Sequence, residues 1–351
     1  MLVLSVVGAR PQLVKAGPVS AALKAAGIAE RLVHTGQHYD AAMSGVFEAE
    51  FGLVPDVNLG IHGGTHAEMT ARMLAALEAE MVSARPRVVL VYGDTNSTLA
   101  GALAAAKLCI PVAHVEAGLR SFNRAMPEEV NRVVTDHLSD LLLAPTRTAV
   151  AHLAHEGLRQ GAHHVGDVMF DAALAAAARA ETDSTVLHRL SLDKSGYAVA
   201  TVHRAENTDD RDALACALEF LGKHARSVPI VWPVHPRARA AIARFALSAD
   251  GLMLVEPQNH LDMTQLVRNA ALVLTDSGGL QKEAYFHHVP CITMRSETEW
   301  PETIEAGWNR LWTEANWRTP RREIDDYGDG NAAQRIASLL RQRFGSPTAT
   351  D

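Results

Sequence analysis

Three carboxylates and two arginines crowd one short stretch of this chain. Glu116 and Arg120 lie in His114-Val115-Glu116-Ala117-Gly118-Leu119-Arg120, and Glu128, Glu129 and Arg132 follow in Pro127-Glu128-Glu129-Val130-Asn131-Arg132. Burying such groups is costly unless they are paired or put to use. Residues 112–115 read as a short buried strand and Gly118 permits a tight turn. That sets Glu116 at the carboxyl edge of a parallel sheet, where open α/β folds bind ligands. Glu128 and Arg132 stand i,i+4 on one helix face; taken alone, that pair reads equally well as a weak surface ion pair.

Other residues with chemical capacity recur at strand ends. Asp276-Ser277-Gly278-Gly279 follows the apolar run 272–275 and opens a helix. Free backbone N–H groups and the Ser277 hydroxyl can there cradle a diphosphate at the positive end of the helix dipole, although a serine N-cap needs no ligand. Two successive glycines favour close approach by a ligand. Glu283 lies one turn beyond Gly279, on the same side of that helix. Arg10, after the first strand and locked before Pro11, suits bidentate phosphate contact; the alternative is surface solubility. His203-Arg204 follows the run 197–202, and His235 precedes Pro236, where a lone histidine is more often structural. Asp94 follows the run 87–92, with a helix N-cap as its plainer role, and Lys15 lies on the first helix. Neither Gly-x-Gly-x-x-Gly nor Gly-x-x-x-x-Gly-Lys-Ser/Thr follows a strand, so the usual dinucleotide and P-loop signatures are missing.

Short β-rich apolar runs alternating with Ala-rich amphipathic segments must position these residues, the pattern of βα units in a parallel sheet. Strands are expected at 2–7, 31–34, 87–92, 111–115 and 140–144, and a second set at 197–202, 230–234, 252–255, 272–275 and 291–294. A helical stretch at 167–180 and a polar segment at 182–195 separate the sets. The expected architecture is α/β: two Rossmann-like doubly wound domains facing each other, residues 1–166 and 167–330. A terminal helix at 330–343 and a frayed tail, Ser346 to Asp351, complete the chain.

Composition narrows the function classes. Apolar residues at 48% and charged residues at 21% are those of an ordinary globular protein. A net charge of −7 with scattered basic residues and few aromatics argues against a nucleic-acid platform. Cys109, Cys216 and Cys291 are too far apart for a disulfide framework or a Cys-x-x-Cys metal site, which fits a reducing cytoplasm. The run 2–7 is too short to span a bilayer and has no basic region before it, so it reads as a first strand rather than a signal peptide. His-x-x-x-His spacing with a third ligand is absent and His163-His164 is expected in a loop, so no metal is expected.

The motifs together resemble the non-hydrolysing UDP-N-acetylglucosamine 2-epimerases of bacterial surface-polysaccharide synthesis. The likeness rests on His-Val-Glu-Ala-Gly-Leu-Arg with the downstream Pro-Glu-Glu-x-Asn-Arg, on Gly8-Ala9-Arg10-Pro11 with Lys15, and on Thr35-Gly36-Gln37-His38. It extends through Gly93-Asp94-Thr95, His203-Arg204, His235-Pro236, and Asp276-Ser277-Gly278-Gly279 with Glu283. The resemblance implies a GT-B-like fold with the active site in a cleft between the domains and the terminal helix packed back on the first. It implies inversion at C2 of a UDP-linked acetamido sugar, by elimination of UDP to a 2-acetamidoglucal and re-addition on the other face. Asp94, Glu116, Glu128 and His203 match the catalytic positions. Arg10, Lys15, Arg132, His235, Ser277, Gly278, Gly279 and Arg295 fall in the substrate-binding set, with Glu283 on the ribose. No NAD or other cofactor is required, and the family suggests a cytoplasmic homodimer. A glycosyltransferase of the same fold, needing an acceptor, is the rival reading; a silent sugar-nucleotide sensor would have no need of the three carboxylates, and a looser site would release UDP and become hydrolytic.

Three departures bear on the substrate. Tyr39-Asp40 stands where many of these enzymes carry an arginine and another polar residue for a second, activating substrate molecule. Ala205-Glu206-Asn207 follows His203-Arg204 where another arginine is usual, and Trp300 in Thr298-Glu299-Trp300-Pro301-Glu302 replaces a frequent arginine. With Ile61-His62-Gly63-Gly64-Thr65-His66 and Ser121-Phe122-Asn123, these differences look more like the subgroup acting on UDP-2,3-diacetamido-2,3-dideoxy-glucuronic acid, whose substrate adds a C6 carboxylate and a 3-acetamido group.

Overall fold

Uninterrupted apolar runs such as Val88–Tyr92, buried at every position, can only be strands covered on both faces, and parallel sheets supply that environment. The computed structural model describes residues 1–37 and 53–345. His38, Tyr39 and Asp40, and the tail Ser346 to Asp351, lie outside the described residues. The chain divides into two units, Met1–Ala172 with Asp325–Asp351, and Ala173–Ile324.

The first unit carries β1 (Leu2–Val7), β2 (Ala29–His34), β3 (Val57–Asn58), β4 (Val88–Tyr92), β5 (Val112–Val115), β6 (Leu141–Ala144) and β7 (Ala162–His164). All pair in parallel in the order β3-β2-β1-β4-β5-β6-β7. The order reverses between β1 and β4, so the connections leave in opposite directions and a crevice opens beyond the carboxyl ends of those two strands. Apolar layers lie on both faces: Leu13, Leu23, Leu90 and Tyr92 belong to one, Val6, Met73, Leu77 and Val91 to the other. The terminal helix Ala332–Phe344 sets Ile336, Leu340 and Phe344 into the first of these layers. Its first amides are capped by a distant carboxylate, since Asp171 accepts from Ala332 N at 3.2 Å and Ala333 N at 2.8 Å.

The second unit repeats the plan with β8 (Ala198–Thr201), β9 (Ile230–Pro233), β10 (Met253–Val255), β11 (Leu272–Thr275), β12 (Cys291–Thr293) and β13 (Asn309–Leu311). The order is β10-β9-β8-β11-β12-β13, again all parallel, with its reversal between β8 and β11. Trp232, Leu274 and Ile292 share one buried layer, Tyr197, Leu266 and Val273 the other.

Three short edge strands, β3, β7 and β13, escape the sequence pattern. His163-His164, expected in a loop, are strand residues paired with Leu143 and Ala144 of β6. Main-chain hydrogen bonding to a neighbour, not side-chain apolarity, makes an edge strand. Cys109, Cys216 and Cys291 are free thiols. No helix among the described residues is long and apolar enough to cross a membrane.

Candidate active site

Most of the sequence-selected residues stand just past the carboxyl ends of β1, β4 and β5 in the first unit and of β8, β9, β11 and β12 in the second. In the first unit, β1 runs into Gly8-Ala9 and the helix Arg10–Ala25. A Cβ at Gly8 would stand 2.0 Å from Ser97 Oγ and 2.2 Å from Thr35 Oγ1, so only glycine fits there. Gln12 ties the two strand ends together. Its buried amide oxygen accepts from Gly8 N (2.8 Å) and Ala9 N (3.1 Å), and its Nε2 donates to the carbonyl of Tyr92 at the end of β4 (2.6 Å) and to Thr98 Oγ1 (2.9 Å). Arg10 is solvent-exposed at the first helical position. One turn further, Lys15 forms an ion pair with Glu116, which follows β5. Burial alone would lower the affinity of the Lys15 amine for its proton, but Glu116, then Asp94 and Asp167, outweigh it and raise its pKa. Gly93, at φ 62°, leaves room for this pair: a Cβ there would lie 3.3 Å from Glu116 Oε2 and 3.4 Å from Lys15 Nζ.

Asp94 is not the N-cap of the helix Asn96–Lys107; Thr95 is, accepting from Thr98 N. Its carboxylate is thereby left to pair with Arg132. The helix Pro127–Leu138 supplies that guanidinium, and the neighbouring Asn131 donates to the Asp94 carbonyl at 2.9 Å. Glu128 and Arg132 share that helix, but the alternative of an ion pair between them is not what forms. Arg132 takes Glu129 (2.7 Å) and Asp94, while Glu128 is exposed. Glu129 is 1% exposed and accepts from Ser121 N and Oγ, both at 2.9 Å, and from Phe122 N at 3.0 Å. Burial opposes its charge, but those donors and Arg132 hold its pKa below the usual range.

In the second unit, β8 leads to His203-Arg204 and β11 to Asp276-Ser277, on adjacent strands. Asp276 is fully buried and organises the turn: one oxygen accepts from His203 N and Arg204 N at 3.0 Å and from Asn207 Nδ2 at 2.9 Å, and the other lies 3.2 Å from His203 Nδ1. Ser277 Oγ caps the helix Gly278–Phe286 by accepting from Leu280 N. Apart from its chain neighbours and the helix's own backbone, no atom lies within 4 Å of a Cβ built on Gly279, so the helix start is open on that side. At Gly278 the close neighbour is a side chain of the same unit, Glu299, with Oε2 at 3.3 Å. Arg295 Nη1 donates to both Glu299 oxygens (2.8 and 2.7 Å), and Arg204 Nη2 approaches at 3.4 Å. Trp300 Nε1 donates to the Gly278 carbonyl at 2.9 Å and its ring lies 3.9 Å beneath Lys282 Nζ. His235 Nδ1 accepts from Arg237 N at 3.2 Å, and its ring stands 6.1 Å from that of His203. Glu283 is half-buried on the helix Gly278–Phe286.

The first unit therefore offers carboxylates paired with cations, and the second a helix N-terminus flanked by histidine and arginine. Proton exchange suits the former and binding of a diphosphate the latter. Among the described residues, no group of three or more His, Cys, Asp or Glu side chains is arranged to hold a metal ion.

The sequence pattern of one family, UDP-N-acetylglucosamine 2-epimerase, matches residues 21–341. The chain belongs to that family. A curated relative from Pseudomonas aeruginosa, UDP-2,3-diacetamido-2,3-dideoxy-D-glucuronate 2-epimerase, is 46% identical, over 97% of this chain and 99% of its own length. The crystal structure of the Methanocaldococcus jannaschii UDP-GlcNAc 2-epimerase in complex with UDP-GlcNAc and UDP is 38% identical with a TM-score of 0.79, covering 97% of this chain and 99% of that one. The Neisseria meningitidis UDP-GlcNAc 2-epimerase bound to UDP-GlcNAc is 29% identical with a TM-score of 0.83, covering 98% of this chain and 100% of that one. With two doubly wound parallel sheets and these neighbours, the fold is of the GT-B-like α/β class. The family member described here is an isomerase, a non-hydrolysing epimerase of UDP-linked acetamido sugars.

Proposed function

We propose that this epimerase inverts C2 of UDP-2,3-diacetamido-2,3-dideoxy-glucuronate, with Asp94, Glu116 and Glu128 serving the sugar and the Ser277 turn serving UDP. The observation that supports this division of labour is that Asp94 and Glu116 follow β4 and β5 in one unit, while the Ser277-Gly278-Gly279 helix start follows β11 in the other. The substrate reading is supported by the 46% identity to the Pseudomonas aeruginosa enzyme, by Ala205-Glu206-Asn207 after His203-Arg204 where another arginine is usual in UDP-N-acetylglucosamine enzymes, and by Trp300 where an arginine is frequent.

The chemistry explains why both kinds of group are needed. The C2 hydrogen is not adjacent to a carbonyl, so a carboxylate cannot simply abstract it. It becomes acidic as the C1–O bond breaks, the electron pair leaves on the β-phosphate oxygen, and positive charge grows at C1. Loss of the C2 proton to a carboxylate then forms the C1–C2 double bond; return of a proton to the opposite face and re-attack by the UDP oxygen at C1 complete the inversion. Ser277, Gly278, Gly279, Arg10, His203, His235 and Arg295 would stabilise charge on UDP, each fixed donor contributing on the order of a few kcal/mol. Glu283 would hold the ribose hydroxyls. Lys15 and Arg132 orient Glu116 and Asp94 through their ion pairs. No cofactor enters this scheme, and a homodimer in the cytoplasm is part of the proposal.

The deciding experiment is proton NMR in D₂O with each UDP-sugar supplied separately. Conversion of the diacetamido uronate to its manno isomer with deuterium at C2 supports the reading. Turnover of UDP-N-acetylglucosamine alone overturns the substrate, and UDP release that requires an acceptor overturns the scheme.

A further inference from the structure

Behind the two carboxylate-bearing turns of the first unit lies a charged group that the scheme above does not use. The His114 side chain, on β5, is fully buried. Its Nδ1 stands 2.7 Å from Asp136 Oδ1 and its Nε2 stands 2.7 Å from the carbonyl oxygen of Gly93. A carbonyl can only accept. Asp136 is also an acceptor: burial opposes its charge, but His114 and Arg120 outweigh burial and depress its pKa. Both ring nitrogens therefore have to donate, which requires a proton on each. Arg120 secures Asp136 in turn, pairing with it and with Glu156 at 2.7 Å each, and His137 Nε2 stands 3.4 Å from Glu156 at the partly exposed end of this chain of contacts.

The network reaches both reacting turns. Gly93 immediately precedes Asp94, and its carbonyl is the acceptor for His114 Nε2. The second oxygen of Asp136 accepts from Gly118 N at 3.1 Å, two residues past Glu116. Glu116 itself sits at φ 74°, a left-handed conformation that a non-glycine residue keeps only where its surroundings over-determine it. Its own N–H donates to the Leu143 carbonyl at 3.0 Å, so Asp136 on one flank and β6 on the other hold the turn. One imidazole–carboxylate pair thus spans from the residue before Asp94 to the turn after Glu116.

We propose that His114 is a positioning residue of the epimerase: bridging the Gly93 carbonyl and Asp136, it sets the separation of Asp94 and Glu116 and hence the rate of proton transfer at C2. The proposal rests on the reading of Asp94 and Glu116 as the reacting carboxylates. Two variants each restore half of the bridge. His114→Asn places an amide nitrogen near the Nδ1 position and keeps the Asp136 contact, whereas His114→Gln places one near Nε2 and keeps the Gly93 contact. Each is expected to lower kcat by about 10- to 100-fold, the cost of misplacing a reacting group by about an ångström. KM should stay within about threefold and UDP affinity by calorimetry should be unchanged, because the loss falls on the transition state alone. Misaligned carboxylates should also let more free glycal and UDP escape per turnover. If both variants keep wild-type kcat while Asp94→Asn abolishes turnover, the proposal fails and the reading of function stands. A rise in KM at constant kcat also overturns it. Independently of variant folding, ¹⁵N NMR of the full chain at neutral pH should show a proton on each ring nitrogen of His114. A bare ring nitrogen overturns the bridge even if every UDP-sugar is turned over, and a protonated pair in a protein that turns over none of them refutes the functional reading instead.

Discussion

Replacing Asp276 by asparagine changes little in size and removes one negative charge from the centre of the turn after β11. The native carboxylate accepts three N–H groups on one oxygen, from His203, Arg204 and Asn207 at 2.9 to 3.0 Å. Hydrogen bonds to a charged acceptor contribute roughly 1.5–3 kcal/mol against about 1 for neutral ones. An amide oxygen can keep the neutral part, so the loss is about 1 kcal/mol per donor, or about 3 kcal/mol in all. At ~2–4 °C per kcal/mol for a unit of this size, the melting transition of the second unit should fall by ~6–12 °C. Acidification supplies an independent check on the cause. Burial works against ionisation of Asp276, but His203, the Arg204 amide and Asn207 outweigh it, so its folded-state pKa lies below the unfolded value. The stabilisation is therefore complete above the unfolded carboxylate pKa of about 3.9 and is lost as pH falls through the folded value. Asparagine has no such dependence. Scanning calorimetry of both full chains from pH 7 downward should show the gap in melting temperature narrowing once the pH passes below about 4. A gap under about 2 °C at pH 7, or one that stays constant on acidification, refutes the assignment of the turn's stability to this charge.

Glu116→Gln and Asp94→Asn should each cut turnover by roughly a hundredfold or more with UDP affinity nearly intact, and wild-type turnover in either would remove that residue from the mechanism. Glu283→Ala should act on the other half of the substrate, weakening UDP binding by calorimetry; unchanged affinity would end its ribose role. Gly118→Ala should destabilise the first unit by about 2–4 kcal/mol, because a Cβ at φ 81° would sit 2.4 Å from the Ala149 carbonyl oxygen. Denaturant unfolding would read that directly, and a midpoint matching the wild type would show that the helix Arg147–His155 moves aside freely.

The strand-end residues were legible because each follows an apolar run: polar chemistry directly after a buried strand marks a sheet edge without any knowledge of topology. Which edges lie together depends on strand order, and that is set by pairing between distant segments. Gln12 illustrates the limit. Its donors and acceptors lie as far as 86 residues away, and no spacing rule singles out one glutamine in a helix. Glu129 is more instructive, since the i,i+4 rule selects Glu128 for Arg132 while the fold selects its neighbour. Both carboxylates are within one turn of the arginine, and the choice is made by the loop at Ser121 and Phe122, whose two amides need an acceptor. Similarly, Thr95 takes the cap that Asp94 could have filled because its hydroxyl accepts from Thr98 N, and this frees the aspartate for Arg132. In each case helix periodicity narrowed the candidates to one turn and the backbone's unsatisfied groups decided among them.

The two units also differ in how they place charge. An elimination that expels a diphosphate while a carboxylate takes a proton develops opposite charges at its two ends, so carboxylates placed beside the phosphates would raise the barrier by repulsion. Glu299 tests that rule, since it is an acidic side chain 3.3 Å from where a Gly278 side chain would begin. Burial disfavours its charge, but Arg295 and then Arg204 overcome this and lower its pKa, so the carboxylate arrives already neutralised by two guanidinium groups. Arg295, Arg204 and Lys282 already stand around Glu299 and Trp300, and the indole adds an uncharged contact, donating to the Gly278 carbonyl beneath Lys282. Trp300, where an arginine is frequent in the family, therefore holds the Gly278 carbonyl through an uncharged donor and brings no further positive charge to this turn.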